Sequence, residues 1–256
     1  VQQSILFEDD YLLAVDKIPG MLVHKSWLDS SATQFAQNLA EEYCGQKLHT
    51  LHRLDRPASG VLLFGKNPDV ARTMLGQFSE QQIRKSYLVI ARGWTKVSGV
   101  IDAPLAEELD KIADKFAKKD KPAKEAVTEY CKLAHTELAI PVSKYPKARY
   151  SLVLAEPKTG RKHQIRRHFR KISHHLVSDT RHGDGRHNDL FIRHFGWKQL
   201  ALRAMQVEFK HPANGQDVVI HAGLTDSWRD ILTQLGWSRL INVLDHPIPD
   251  WLHHIQ

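Results

Sequence analysis

His52-Arg53-Leu54-Asp55-Arg56-Pro57-Ala58-Ser59-Gly60 is followed at once by Val61-Leu62-Leu63-Phe64. The nine residues carry one acid between two arginines and end in a turn punctuated by Pro57 and Gly60. The apolar run behind them is short enough for a buried strand. Asp55 is therefore expected on a loop held by a rigid sheet, where reactive side chains are usually presented. Arg53 and Arg56 would lower its pKa and keep it ionised. The bland reading is an Asp–Arg pair bracing a turn, and such pairs are far commoner than nucleophiles.

Outward from this stretch, the chain of 256 residues is long enough for one large domain or two small ones. Its formal net charge is +7 with sixteen histidines left neutral, and its pI is about 9.3. Such a chain attracts polyanions, nucleic acid first. An anionic membrane surface is the rival partner, but it requires an exposed basic amphipathic helix with bulky apolar anchors, and no stretch reads as one. No run approaches the apolar length of a membrane span. No secretory leader pattern opens the sequence. Cys44 and Cys131 make neither a CxxC nor a disulfide framework. A reducing, cytoplasmic setting is the expectation. Neither GxxxxGK[ST] nor GxGxxG occurs, which removes the common phosphate-loop enzymes.

The rest reads as an alternation of short strands and helices. Ile5 to Phe7 and Tyr11 to Val15 are expected as strands around the polar turn Glu8-Asp9-Asp10. Lys17 follows as a solvated strand end. Ser30 to Tyr43 reads as a helix with Phe35, Leu39 and Tyr43 on one face, capped by Ser30 or Ser31 and stopped by Gly45. Pro68 opens a second helix, with Val70, Met74, Leu75 and Phe78 together. Ile83 to Gly93 is a strand carrying Lys85 and Tyr87. A tyrosine there is most often a core residue. Residues 104–125 are charge-dense and nearly balanced, and read as an insertion that reaches toward a ligand. Ala126 to Ala139 and Arg149 to Ala155 are two more strands. Arg161 to Ile172 is an amphipathic helix: Ile165, Phe169 and Ile172 form its apolar stripe, Lys162, Arg167, Arg170 and Lys171 a basic flank, and Arg166 is best placed to point inward. Residues 174–189 are rich in histidine and aspartate. They match no metal-ligand spacing, so a polar surface loop is expected and no metal. Leu200 to His211 and Val218 to His221 read as closing strands, followed by a helix from Asp226 to Leu235. The tail from Trp237 has no clear pattern.

The motifs carry a resemblance that these patterns alone do not. HRLDRPASG resembles the signature of the RluA-type pseudouridine synthases. Pro19-Gly20-Met21-Leu22-Val23-His24 resembles that family's early segment. Lys85-Ser86-Tyr87 resembles its Lys-x-Tyr motif, and Thr159-Gly160-Arg161-Lys162-His163-Gln164-Ile165-Arg166 its Thr-Gly-Arg-x-His-Gln-(Ile/Leu)-Arg motif. All four stand in the family's order. Two further stretches, Val23 to Asp29 and Glu107 to Ala117, are closer to a tRNA-modifying member. Two positions depart: the family's Pro-x-x-Gly-Asp is here His175-Leu176-Val177-Ser178-Asp179, and its Leu-His-Ala is Leu202-Arg203-Ala204. They put the local backbone and any role of Arg203 in question.

The resemblance implies an α+β fold, a central mixed and mostly antiparallel sheet with flanking helices and loops around an RNA cleft. It implies a single catalytic domain over 1–256 with no separate N-terminal RNA-binding domain. Asp55 is implied as the essential carboxylate, Arg166 as its partner, and Tyr87 as a group that stacks on uracil or accepts the C5 proton. Arg53 is implied as the residue that fills the stack when the target base flips out. Arg56, Lys85, Arg161, Lys162, His163, Arg167 and Arg170 are expected on the RNA, Lys17 as a phosphate contact, and Leu202 in the uracil pocket. The reaction, uridine to pseudouridine, is redox-neutral and needs no cofactor. The expected partner is tRNA, with the uridine at position 65 as target. Two rivals predict different observations. A silent RNA-binding protein would be indifferent to Asp55→Ala, and a metal-dependent nuclease using residues 174–189 would be stopped by chelators.

Overall fold

The computed structural model describes residues 4–24, 34–108, 122–249 and 252. In chain order the strands are β1 (Ser4–Glu8), β2 (Leu12–Lys17), β3 (His49–Thr50), β4 (Ser59–Gly65), β5 (Arg84–Arg92), β6 (Ser98–Asp102), β7 (Val127–Leu138), β8 (Ala148–Pro157), β9 (Leu202–Lys210) and β10 (Asp217–His221). The helices are α1 (Ala36–Cys44), α2 (Pro68–Ser79), α3 (Gln164–Lys171), α4 (Gly185–Phe195), α5 (Asp226–Gln234) and α6 (Ile241–Leu244). The strands form one sheet in the order β1-β2-β4-β9-β5-β8-β7-β6, with β10 on β9 and β3 on β4. Among these pairings only β4 with β9 is parallel. The expected mixed, mostly antiparallel α+β architecture is what the chain adopts. No helix among the described residues is long and apolar enough to cross a membrane.

Period-two alternation sorts the sheet's side chains into separate cores. In β5, Leu88 and Ile90 join the cluster that holds α4, α5 and the C-terminal segment, whereas Val89 and Ala91 face Ile165 and Phe169 of α3. Every residue of β4 is buried, as the apolar run after the Asp55 loop predicts. Gly60 lets that strand begin where it does. It sits at φ +108° opposite Ala204, and a Cβ there would lie 2.0 Å from the Ala204 carbonyl oxygen. A register shift between Ser86 and Tyr87 in the β5–β9 pairing re-aims Tyr87. Its ring packs on the edges of both clusters that border the site.

Several sequence expectations are corrected. Helix α1 is shorter than 30–43. It starts at Ala36 with Phe35 at the cap and no side-chain cap bond, and it buries Ala36 and Ala40 while Tyr43 stays exposed. Ser30 and Ser31, with Lys25 to Asp29, lie outside the described residues, as do 109–121 of the expected insertion. Gly45 does end the helix, at φ +67°. In α2, Leu75 faces solvent instead of joining Val70 and Met74. Residues 174–189 are not a surface loop throughout. Gly185–Phe195 is helical, capped by Asp184, and Asp179 and His182 are buried. The tail without a pattern is core: Trp237, Leu244, Ile248 and Leu252 pack with Trp228 and Leu232.

Lys17 is the sharpest correction. It is neither a solvated strand end nor open to a phosphate. It is fully buried, and its Nζ donates to the carbonyls of Ile18 at 3.0 Å, Met21 at 2.9 Å and Arg56 at 3.1 Å. A lysine ammonium has three N–H donors, and each has an acceptor here. Arg203 also has a structural place. It is fully buried, donates through both Nη atoms to the Asp16 carboxylate at 3.0 and 2.7 Å, and reaches the Gly223 carbonyl.

Candidate active site

Asp55 stands on the loop between β3 and β4 with a half-covered side chain. A turn closes beneath it, Ala58 N to Asp55 O at 3.0 Å. The loop is tied to the Pro19-Gly20 segment in both directions. Gly20 N donates to Arg56 O at 2.8 Å, and Arg56 Nε donates to Gly20 O at 3.0 Å. Lys17 grips the same Arg56 carbonyl from below. The early motif and the acidic motif are thus two sides of one backbone clasp. Burial pulls the Lys17 ammonium down to about 7, against the opposing pull of the Asp55 and Asp16 carboxylates.

Helix α3 brings the partner. Its start is set by side chains instead of a serine or aspartate cap. His163 takes the left-handed region at φ +54°. The Gln164 amide oxygen accepts from Thr159 Oγ1 at 2.7 Å and Arg161 N at 3.0 Å, while its Nε2 donates to Val127 O and Thr128 Oγ1. His168 is fully buried and bonds Thr128 Oγ1 and Ala103 O. Thr159, Gln164 and His168 therefore fasten the helix to β7. Arg166, one position past the apolar Ile165, turns under the sheet and donates through Nη1 to Asp55 Oδ2 at 2.9 Å.

The other two guanidinium positions go to Asp179, a residue to which the sequence alone assigns no role. Arg166 Nε donates to Asp179 Oδ2 at 2.7 Å, and Nη2 to Oδ1 at 2.8 Å. Asp179 Oδ1 also accepts from the backbone N–H groups of Arg181 and His182. Burial raises the Asp179 pKa, but these bonds and the Arg166 charge outweigh it and hold the carboxyl low. Burial likewise opposes the Arg166 charge, and the two carboxylates overcome it. The signal in the sequence is Asp179 itself, the part of the family's Pro-x-x-Gly-Asp pattern that this chain keeps.

Around the pair, Tyr87 lies near enough for the Asp55 charge, added to the larger effect of burial, to push its phenol well above the ordinary range. Near pH 7 it is a neutral phenol. Leu202 is buried beside it, in the cluster with Ala58 and Val89. His163 Nε2 stands 3.9 Å from Asp55 Oδ1. Burial lowers its pKa, against the opposing charges of Asp55 and Glu108. Its Nδ1 lies 2.9 Å from His182 Nε2 and 3.1 Å from Glu108. Burial also lowers Lys85, to about 8.

Arg53, Arg56, Arg161, Lys162 and Arg170 are exposed, and Arg167 is partly so. Arg161 Nε turns to Glu125 O, Lys162 Nζ to Glu108 O and Arg167 Nη2 to Ala106 O. Asp55 pairs with Arg166 at 2.9 Å. Among the described residues, one group could hold a metal, Glu108 with His163 and His182, whose ligand atoms lie within 4.8 Å of one another. Arg181 and Arg167 stand 3.2 and 3.5 Å from the same Glu108 carboxylate, so the surroundings are cationic and suit a divalent ion poorly.

Comparisons with known proteins identify the family and the fold. Residues 11–171 match the family model described as RNA pseudouridylate synthase. A protein of Vibrio cholerae named tRNA pseudouridine synthase C is 49% identical over 241 residues, covering 93% of this chain and 99% of the relative. Its namesake in Salmonella typhi is 47% identical, covering 93% and 92%. Among solved structures, human RNA pseudouridylate synthase domain containing 1 aligns with a TM-score of 0.68 at 20% identity over 97% of both chains. The human domain-containing-4 protein aligns at 0.69 and 23% identity over 91% of this chain and 93% of that one. At these identities the structures speak for the fold.

Proposed function

The chain belongs to the RNA pseudouridylate synthase family, and from that premise we propose that it isomerises a uridine of tRNA, at position 65, with Asp55 as the essential carboxylate. One observation carries the site assignment: the 2.9 Å bond from Arg166 to Asp55, which joins two motifs 111 residues apart. The tRNA assignment rests on the similar proteins named tRNA pseudouridine synthase C.

The chemistry follows from the groups present. The reaction breaks a C–N glycosidic bond and remakes it as C–C at C5, with no net oxidation and no phosphate energy. An ionised carboxylate starts it, by attack at C1′ or at the base or by taking the C2′ proton. Arg166 aims Asp55, because Asp179 fixes the guanidinium plane. A paired uridine is out of reach, so it leaves the stack, at a cost of a few kcal/mol that contacts around it must offset. The exposed Arg53 guanidinium suits the vacated position. Tyr87 supports the uracil while it turns, above a floor that includes Leu202. Loss of the C5 proton, matched by a proton taken up at the released N1, completes the step. Lys85, Arg161, Lys162, Arg167 and Arg170 supply charge for the backbone, and His163 a hydrogen-bonding edge.

The test is tritium release from C5-labelled uridine in tRNA transcripts, with EDTA present. Release by the wild type and none by Asp55→Asn, mapped to position 65, is the expected result. Release only from ribosomal RNA would move the substrate. No release from any RNA, with binding intact, would make this a silent RNA-binding protein.

A further inference from the structure

Beside α3 lies an open cavity of about 380 Å³. Its walls are Leu105, Glu108, Arg167, Arg170, Lys171 and His182. Three are permanent cations, one is an imidazole and one is an acid. The acid is already engaged, by Arg181 at 3.2 Å and Arg167 at 3.5 Å. Arg170 and Lys171 are exposed, and neither enters an ion pair among the described residues. The cavity is not remote from the chemistry. His182 on its wall touches His163 at 2.9 Å, and His163 stands 3.9 Å from Asp55.

Uncommitted cations on a concave surface call for an anion, and phosphate is the anion an RNA supplies. We propose that this cavity is a phosphate subsite that seats one backbone phosphate flanking the target nucleotide, with Arg170 and Lys171 as its principal contacts. The proposal rests on the RNA-modifying reading above. It adds Lys171 and His182 to the contact surface and confines Arg167 and Arg170 to one place on the strand. Glu108 is the one acid the phosphate meets. Its pairing with Arg181 and Arg167 keeps the cavity's field positive.

The experiment measures binding of the full chain to a tRNA transcript as a function of salt, so it does not depend on turnover. For every phosphate the protein no longer neutralises, the slope of log affinity against log salt becomes shallower by about 0.7 to 0.9. The double variant Arg170→Gln/Lys171→Gln is expected to show that shift and a raised KM. Glu108→Gln is expected to tighten binding. Substrates with one phosphate at a time replaced by neutral methylphosphonate then locate the contact. Wild type loses affinity at one flanking position, and the double variant is indifferent there. A double variant with wild-type slope and wild-type sensitivity at every position overturns the subsite. So does a cavity that takes inorganic phosphate while RNA binding ignores both substitutions. Intact salt-slope shifts without any isomerisation would instead overturn the catalytic reading and leave the subsite standing.

Discussion

Asp179 grips Arg166 at two nitrogens, Nε at 2.7 Å and Nη2 at 2.8 Å, and so leaves that guanidinium a single position, Nη1, for Asp55. A bidentate pair fixes the plane of an arginine, and with it the direction of the third donor. The aim of the Asp55 carboxylate is therefore set by a residue that does not touch it.

Asp179→Asn keeps the shape but exchanges one acceptor for a donor. It should lower kcat by about 10²-fold, the scale expected for a displacement near 1 Å, with KM for RNA little changed. Asp179→Ala goes further, leaving Arg166 buried with one partner gone, and should destabilise by roughly 3–5 kcal/mol. Denaturant titration separates the two effects. Asp179→Glu should recover part of the Asp179→Ala loss in both stability and kcat. Wild-type kcat in Asp179→Asn would mean that Asp55 needs no such aiming.

Ser178 holds φ +57° where the resembling family places glycine, and its Oγ is buried with no hydrogen-bond partner among the described residues. Left-handed backbone costs a non-glycine residue about 1–2 kcal/mol. Ser178→Gly should therefore raise Tm by a few degrees, which scanning calorimetry reads directly. The neighbouring Asp179 keeps its bonds, so kcat should not move.

Gly60 cannot be replaced. Its backbone faces Ala204 at φ +108°, and the Cβ of Gly60→Ala would stand 2.0 Å from the Ala204 oxygen. The variant should lose the β4–β9 pairing. The loss should appear as insoluble expression or a collapsed near-ultraviolet circular dichroism spectrum, where an exposed Gly→Ala change would leave both intact.

Acid should destabilise the fold before its carboxylates protonate. Burial holds His52 at about 3, with Lys85 adding to it. Burial also holds His187 at about 4, against the opposing charge of Asp184. Each accepts a hydrogen bond or shares one: Leu63 N donates to His52 Nε2, and Tyr150 hydroxyl meets His187 Nδ1. Both pKa values lie below the unfolded value near 6.5, so the unfolded chain binds more protons in between. Stability then falls as pH drops from 6.5, by up to ~1.4 kcal/mol per unit for each histidine. His52→Gln should flatten that slope between about pH 3 and 6.5 in urea titrations.

What the sequence disclosed and what it hid divide along a physical line. Val61 to Phe64, the Pro68 helix start and the inward turn of Arg166 were legible because period and turn chemistry are local. Lys17 was not, since a lysine at a strand end looks solvated until the carbonyls of Ile18, Met21 and Arg56 close over it. Asp179 sat in a run of histidines that read as surface, and only the fold brings it to Arg166. Arg203 looked like a broken motif, yet Asp16, 187 residues away, completes it as a buried ion pair. The C-terminal tail hid for a related reason. Scattered apolar residues such as Trp237, Ile248 and Leu252 show no period when they fill gaps against other elements.

The slot between β4 and β5 belongs to β9, whose residues lie in the last quarter of the chain. During synthesis, the two strands that frame Asp55 and Tyr87 must wait with open edges until residue 210 has left the ribosome. Open edges invite pairing with other chains. A chain that ends between Asp179 and Leu202 carries Asp55, Tyr87, Arg166 and Asp179 and lacks the strand that lies between β4 and β5.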